Sequence, residues 1–305
     1  MTVTVFPVTQ DFFAEVGDVD LSRPLDSADF KAIQEAFWKY AVLVFPDQKL
    51  TPEQHLEFAR SFGPLVNKLK VYREGNRERT HREIEDISNL DLDNEIKKTD
   101  NRIRLMRLAN RLWHTDATFK QVPAKISLLY GREIPPIGGQ TEYADTRAAY
   151  DALPEGMKLR LKGLVAEHSF RASRARVGFT DFSEEENASL PPVRQVMVRT
   201  TPESGRKSLY VASHIGRVLG LPQEESDALV DDLIAHASQR QFVHTHRWRQ
   251  FDLVMWDDRC TMHRGLAYDD ERWRRDVQRA TVSEAANSCE LEGVSIATLN
   301  LHGIP

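Results

Sequence analysis

A chain of 305 residues, 41% of them hydrophobic, can bury a sizeable core within one domain. Its formal net charge of -5, with Lys and Arg scattered along the chain, argues against a nucleic-acid partner, which calls for a basic surplus. Cys260 and Cys289 form no metal-binding spacing, and two cysteines in this length point to a reducing cytoplasm. The start from Met1 to Pro7 lacks a leader pattern, and no run approaches the roughly 18 apolar residues of a membrane span, so no membrane partner is expected.

In chain order, Ser27 is placed to cap a helix with Phe30, Ile33 and Phe37 on one face. Ala41 to Phe45 reads as a buried strand stopped by Pro46. Thr51-Pro52-Glu53-Gln54 combines a capping box with proline in the first turn and opens a helix to about Phe62, ended by Gly63-Pro64. Arg73 to Glu85 is densely charged and reads as an exposed loop or short helix. Ile126 to Tyr130 is strand-like, and Gly138-Gly139 marks a turn. Asp145 is placed to cap a helix through Leu153, with Pro154 opening another. Leu164 to Ser169, Gln195 to Arg199 and Ser208 to Ala212 are further short strands, with Ser204-Gly205 as a turn. Pro222 opens a helix through Ala237 with Leu229 and Leu233 on its apolar face, and Leu253 to Trp256 is again strand-like. From Ser283 onward the chain is polar and irregular, with no assigned role. There is no internal repeat, no glycine-rich nucleotide loop and no regular strand–helix alternation, so the expected class is mainly β: a sandwich or jelly roll with flanking helices.

The histidines carry the chemistry. A mononuclear non-haem iron site needs two imidazoles and one carboxylate on one face of the metal, leaving other positions open. Its sequence mark is His, any residue, then Asp or Glu. With 10 His and 46 acidic residues, chance supplies about 1.5 such pairs. Three occur: His55/Glu57, His81/Glu83 and His114/Asp116. The first lies on a predicted helix, where residues two apart diverge, and reads as helix surface. The second lies in the charged run and reads as solvent-facing. Only His114/Asp116 sits in extended-type sequence (Leu112 to Phe119), where residues two apart share a face. His263, after the strand-like run ending in Asp257-Asp258, is the best second imidazole, with His244 and His246 as the alternative pair. His168, His214, His236 and His302 lack an acidic partner pattern and read as packed or hydrogen-bonded.

A basic cluster follows: Arg272, Arg274, Arg275 and Arg279. Arg275 and Arg279 are four apart in strand-like sequence and share a face, with Arg274 opposite. Two inward guanidiniums suit carboxylates, which Arg holds in a planar fork.

These segments resemble the taurine dioxygenase / 2,4-dichlorophenoxyacetate dioxygenase family of iron(II)- and 2-oxoglutarate-dependent enzymes. The resemblance is carried by Trp113-His114-Thr115-Asp116, Gly138-Gly139-Gln140-Thr141-Glu142, the run from Trp256 to Gly265, and Arg275-Asp276-Val277-Gln278-Arg279-Ala280-Thr281. Spacing agrees, with 147 residues from Asp116 to His263, then 12 to Arg275 and 16 to Arg279. Arg147 to Pro154 and Gly205-Arg206-Lys207 bring it nearer to the 2,4-dichlorophenoxyacetate branch. The resemblance implies a single domain over 1–305 with a double-stranded β-helix core at about 17–282 and a C-terminal extension at 283–305.

It also implies His114, Asp116 and His263 as iron ligands, Thr141 and Arg275 on the far carboxylate of 2-oxoglutarate, and Arg279 facing the substrate anion. In the related taurine enzyme a histidine shortly after a Phe-Gly-Pro-Leu segment holds the substrate; here Phe62-Gly63-Pro64-Leu65 leads to Lys68 and Lys70, which points away from taurine and offers two lysines as alternative cations. Molecular oxygen and 2-oxoglutarate would be consumed, succinate and carbon dioxide released, and a small anionic organic substrate hydroxylated. An aryloxyacetate-like carboxylate would be oxygenated beside its ether oxygen and then cleave. Asp116 favours hydroxylation over halogenation, and relatives commonly form homo-oligomers. The alternatives are a sulfonate or sulfate-ester dioxygenase and, from another class, a non-catalytic metal- or ligand-binding jelly roll.

Overall fold

Leu253–Asp257 is buried at all five positions, as a strand is when both of its faces are covered. The computed structural model, which describes residues 3–69 and 79–295, accounts for this. Leu253 and Met255 point into a core shared with the first helices, whereas Val254 and Trp256 point into a second core with Leu129, Tyr143 and Val277. Each such side chain contributes about 1.5–3 kcal/mol on burial.

This strand sits in the middle of a seven-stranded sheet, in the order Thr4–Pro7, Phe13–Gly17, Val42–Phe45, Leu253–Asp257, Ala124–Glu133, Asp276–Ser283 and Ile84–Asp86. Opposite lies a three-stranded sheet in which Thr141–Asp145 pairs antiparallel with both Val243–His246 and Thr261–Gly265. The two sheets form the jelly roll, and the helices Ser27–Tyr40 and Pro52–Arg60 cover the outer face of the larger one. Strand parity decides what faces inward. On Ala124–Glu133, Ile126, Leu128 and Tyr130 join the helix-side core, which turns Ser127 and Leu129 toward the smaller sheet. On Asp276–Ser283, Ala280 and Val282 face the helices, which turns Val277, Arg279 and Thr281 inward.

Several elements differ from their sequence expectations. The cap of the first helix is Asp26, whose carboxylate accepts from the backbone N–H groups of Ala28 and Asp29; Ser27 is already helical. Ala41 takes a left-handed C-cap conformation (φ 59°), so the next strand starts at Val42. The capping box of Thr51 and Gln54 is present, but that helix stops at Arg60. His55 is 1% exposed, not on the helix surface: its Nε2 meets the Leu128 carbonyl at 3.1 Å, and burial pushes its pKa down to about 4. The expected strand from Gln195 to Arg199 is two strands, Val193–Val196 and Val198–Thr200, with different partners. The charged run ends not in a loop but in Ile84–Asp86, an edge strand paired with Asp276–Ser283. The region after Ser283 is not irregular throughout. Asn287 caps a helix at Ser288–Leu291, and Ser288 and Cys289 are fully buried.

Candidate metal centre

His114 and His263 face each other across a reciprocal backbone pair: His114 N–H donates to His263 O (3.0 Å) and His263 N–H to His114 O (2.8 Å). This pairing sets the imidazoles side by side, with ring centroids 4.2 Å apart. Asp116 follows at the start of a turn in which Ala117 adopts φ 51°. Its carboxylate oxygens lie 3.8 Å from His114 Nε2 and 3.8 Å from His263 Nε2. Among the described residues this is the cluster of three side chains whose ligand atoms gather within 4.8 Å, and all three are buried. His244 and His246 do not join it. His244 packs on Phe13 (4.0 Å between centroids), and His246 Nε2 lies 3.1 Å from Asp252 Oδ2.

The donor set suits a divalent metal. Burial lowers the pKa of both His114 and His263, so the imidazoles are neutral with lone pairs to offer. His114 Nδ1 lies 2.8 Å from the Leu112 carbonyl, which fixes the proton on Nδ1 and frees Nε2. Two imidazoles and one carboxylate on one side of a shared point match the facial arrangement of non-haem iron(II).

Asp116 is held from behind. Its backbone N–H donates to Asp258 Oδ1 (3.2 Å), and Ser127 Oγ lies 2.9 Å from Asp116 Oδ2 and 2.7 Å from Asp258 Oδ2. Trp256 Nε1 donates to Asp258 Oδ1 at 3.0 Å. Burial, reinforced by the Asp116 charge, pushes the pKa of Asp258 upward.

The arginines divide. Arg275 is 9% exposed, and its Nε has no hydrogen-bond partner among the described residues. Burial lowers its pKa, and only the phenols of Tyr268 and Tyr143 oppose that. A cation so placed calls for an anion from outside the protein. Gly139, with φ 70°, brings its backbone against this side chain, 3.5 Å separating its Cβ position from Arg275 Cδ. Thr141, 3% exposed, accepts a hydrogen bond from Trp248 Nε1 at 3.0 Å. Arg279 is already engaged, with its two terminal nitrogens on Asp116 Oδ1 and Glu85 Oε2. Arg274 points outward to Glu133 at 3.0 Å. Lys68 lines a small cavity beside Arg279, and its Nζ donates to the Thr80 carbonyl at 2.9 Å. Lys70 lies outside the described residues.

Sequence reasoning missed the wall next to the triad. His214 stands edge-on to His114 (5.8 Å) and is flanked by Phe119 (4.9 Å) and Arg174 Nη1 (3.3 Å). Phe119 leads into an apolar cluster of Phe170, Phe179, Leu190 and Met106. These residues come from separate loops and short helices with no shared periodicity.

The chain matches the model of the family described as "Taurine catabolism dioxygenase TauD, TfdA family" over residues 4–281. It is 43% identical over 287 residues to the alpha-ketoglutarate-dependent 2,4-dichlorophenoxyacetate dioxygenase of Cupriavidus pinatubonensis, covering 94% of this chain and 99% of that protein. It is 36% identical over 273 residues to an (S)-phenoxypropionate/alpha-ketoglutarate-dioxygenase of Sphingobium herbicidovorans, covering 87% and 90%. The crystal structure of AAD-2 in complex with Mn(II) and N-oxalylglycine superposes with a TM-score of 0.86 at 42% identity, over 94% of this chain and 99% of that one. Fold, metal-ligand geometry and similarity along the chain agree that the protein belongs to the TauD/TfdA dioxygenase family.

Proposed function

We propose that the chain is an iron(II)- and 2-oxoglutarate-dependent dioxygenase that hydroxylates an aryloxyacetate-like carboxylate at the carbon next to the ether oxygen. The observation that carries this reading is Arg275, a buried guanidinium with no carboxylate counterion among the described residues, which leads into Asp276–Ser283 of the larger sheet, while His263 and its bridge partner His114 belong to the smaller sheet facing it. In this assignment His114, Asp116 and His263 hold iron(II), while Arg275 and Thr141 hold the far carboxylate of 2-oxoglutarate. Bound there with its co-substrate and oxygen, iron supplies oxidation of a C–H bond coupled to decarboxylation of 2-oxoglutarate to succinate. The oxygenated carbon then bears both a hydroxyl and the ether oxygen, and it collapses to a phenol and an oxo-acid.

The chain's own residues bind, orient and exclude water. The cluster around Phe119 and Phe170 gives an aryl ring an apolar wall beside the triad. Arg279, whose terminal nitrogens rest on Asp116 and Glu85, and Lys68, which lines the same cavity, are assigned to the substrate carboxylate. Lys70 is assigned to the same task on sequence grounds alone. Names of relatives support the aryloxyalkanoate class, since the two quoted above act on 2,4-dichlorophenoxyacetate and phenoxypropionate. A homo-oligomer in the cytoplasm completes the reading; both cysteines are free and buried, in keeping with a reducing compartment. Light scattering gives the oligomeric state.

The test is anaerobic loading with iron(II) and 2-oxoglutarate, followed by air and a panel of aryloxyacetates, arylacetates and sulfonates. A visible charge-transfer band, and succinate release stimulated by aryloxyacetates, are expected. A folded, iron-loaded protein without the band defeats the chelate. Stimulation by sulfonates alone defeats the substrate class.

A further inference from the structure

Thr141 opens the central strand of the smaller sheet, between His246 on one side and Gly265 on the other. Its hydroxyl oxygen is the acceptor for Trp248 Nε1–H at 3.0 Å. An indole N–H can only donate, so the single proton of the threonine hydroxyl is not used by this bond. Among the described residues no other partner takes that proton. The hydroxyl is therefore turned by the indole into a donor aimed away from Trp248.

The indole is itself fixed. It packs against Gly131, where an added Cβ would stand 3.1 Å from Trp248 Cε3. Gly131 pairs with Val277, two residues beyond Arg275, so Trp248 braces the strand pair that Arg275 leads into. On its other side the ring meets His246 edge to face at 4.8 Å and 80°. His246 Nε2 lies 3.1 Å from the fully buried Asp252 without hydrogen-bond geometry, and the Asp252 carboxylate accepts the Arg249 backbone N–H at 2.9 Å. The segment from His246 to Asp252 thus forms a bracket whose free end is one N–H on Thr141.

We propose that Trp248 is a positioning residue that sets the Thr141 hydroxyl as a hydrogen-bond donor to the far carboxylate of 2-oxoglutarate. The inference rests on the assignment of Thr141 and Arg275 to that carboxylate. It adds that co-substrate affinity is tuned from outside the site, by a residue that touches neither metal nor co-substrate.

The experiment compares wild type, Trp248→Phe, Thr141→Val and the double variant, each loaded with metal. Anaerobic calorimetry gives the 2-oxoglutarate dissociation constant, and succinate assays separate KM from kcat. Trp248→Phe is expected to weaken 2-oxoglutarate about fivefold to tenfold, the worth of one neutral hydrogen bond, with kcat within about twofold. In the Thr141→Val background the same change should add nothing, because the two act through one contact. Independent, multiplying effects overturn the proposal, as does unchanged affinity in Trp248→Phe when Thr141→Val is weakened. Unchanged affinity in Thr141→Val overturns the underlying assignment instead. Should Trp248→Phe fail to fold, the wild-type enzyme loaded with zinc(II) still decides. Its Trp248 indole N–H resonance must shift when 2-oxoglutarate binds, and absence of a shift refutes the idea.

Discussion

Arg275 and Arg279 stand four residues apart in one strand region and meet opposite electrostatic fates. Arg279 is ion-paired with Asp116 and Glu85, whereas Arg275 is buried with no carboxylate partner among the described residues. Removing Arg275 deletes a charged hydrogen-bonding fork for the co-substrate, so Arg275→Ala should weaken 2-oxoglutarate binding by about 10- to 150-fold, the span of about 1.5–3 kcal/mol for such bonds. Arg279→Ala should instead raise KM for the aryloxyacetate and leave the 2-oxoglutarate dissociation constant within about twofold. Both constants come from one set of titrations on the metal-loaded variants, and an exchange of the two effects would invert the assignment. The sequence already carried the identity of both arginines and their inward direction. It could not reveal which one is paired, because Glu85 comes from the charged run that read as an exposed loop.

Local rules were legible wherever they are local. The capping box at Thr51 and Gln54 and the cap at Asp145 are written in adjacent residues, and both are present. Burial was not legible, because it depends on what packs opposite. His55 looked like helix surface and is sealed by the strand bearing Leu128. The segment after Ser283 looked irregular because its helix is a single turn, too short for periodicity to register. Its anchoring is tertiary. Asn287 caps the turn by accepting from Cys289 N–H (2.9 Å), and its amide donates to the carbonyls of Gln121 (2.8 Å) and Arg194 (3.0 Å). Asn287→Ala loses the cap and leaves two carbonyls short of a donor, so a loss of about 1–3 kcal/mol is expected in urea unfolding. The 2-oxoglutarate dissociation constant should stay within about twofold, since this turn packs on Val193–Val196 and not on the metal cluster. A stability change below about 0.5 kcal/mol would mean that the turn is only laid against the sheet.

Packing in the fold keeps several imidazoles dry, and that has a consequence for the stability of the entire chain. Burial pushes His55 to about 4 and His168 to about 3, against an unfolded value of 6.5. With folded values below unfolded ones, the unfolded chain binds more protons once pH drops under 6.5. The stability from keeping these rings neutral is therefore complete above about pH 6.5 and is lost as pH falls toward 4. Each such ring contributes a slope of about 1.4 kcal/mol per pH unit across that window. His168 offers the clean test, because neither ring nitrogen has a partner among the described residues and the ring only stacks on Tyr210 at 6.1 Å. His168→Leu removes the titrating group without orphaning a hydrogen bond. Unfolding free energies for wild type and variant, measured from pH 7 to 4.5 without added metal, should diverge below pH 6.5, with the variant holding about 1.4 kcal/mol more stability for each unit. Parallel curves would mean that His168 is protonated or solvated in the folded protein, and that its burial does not govern the acid limb.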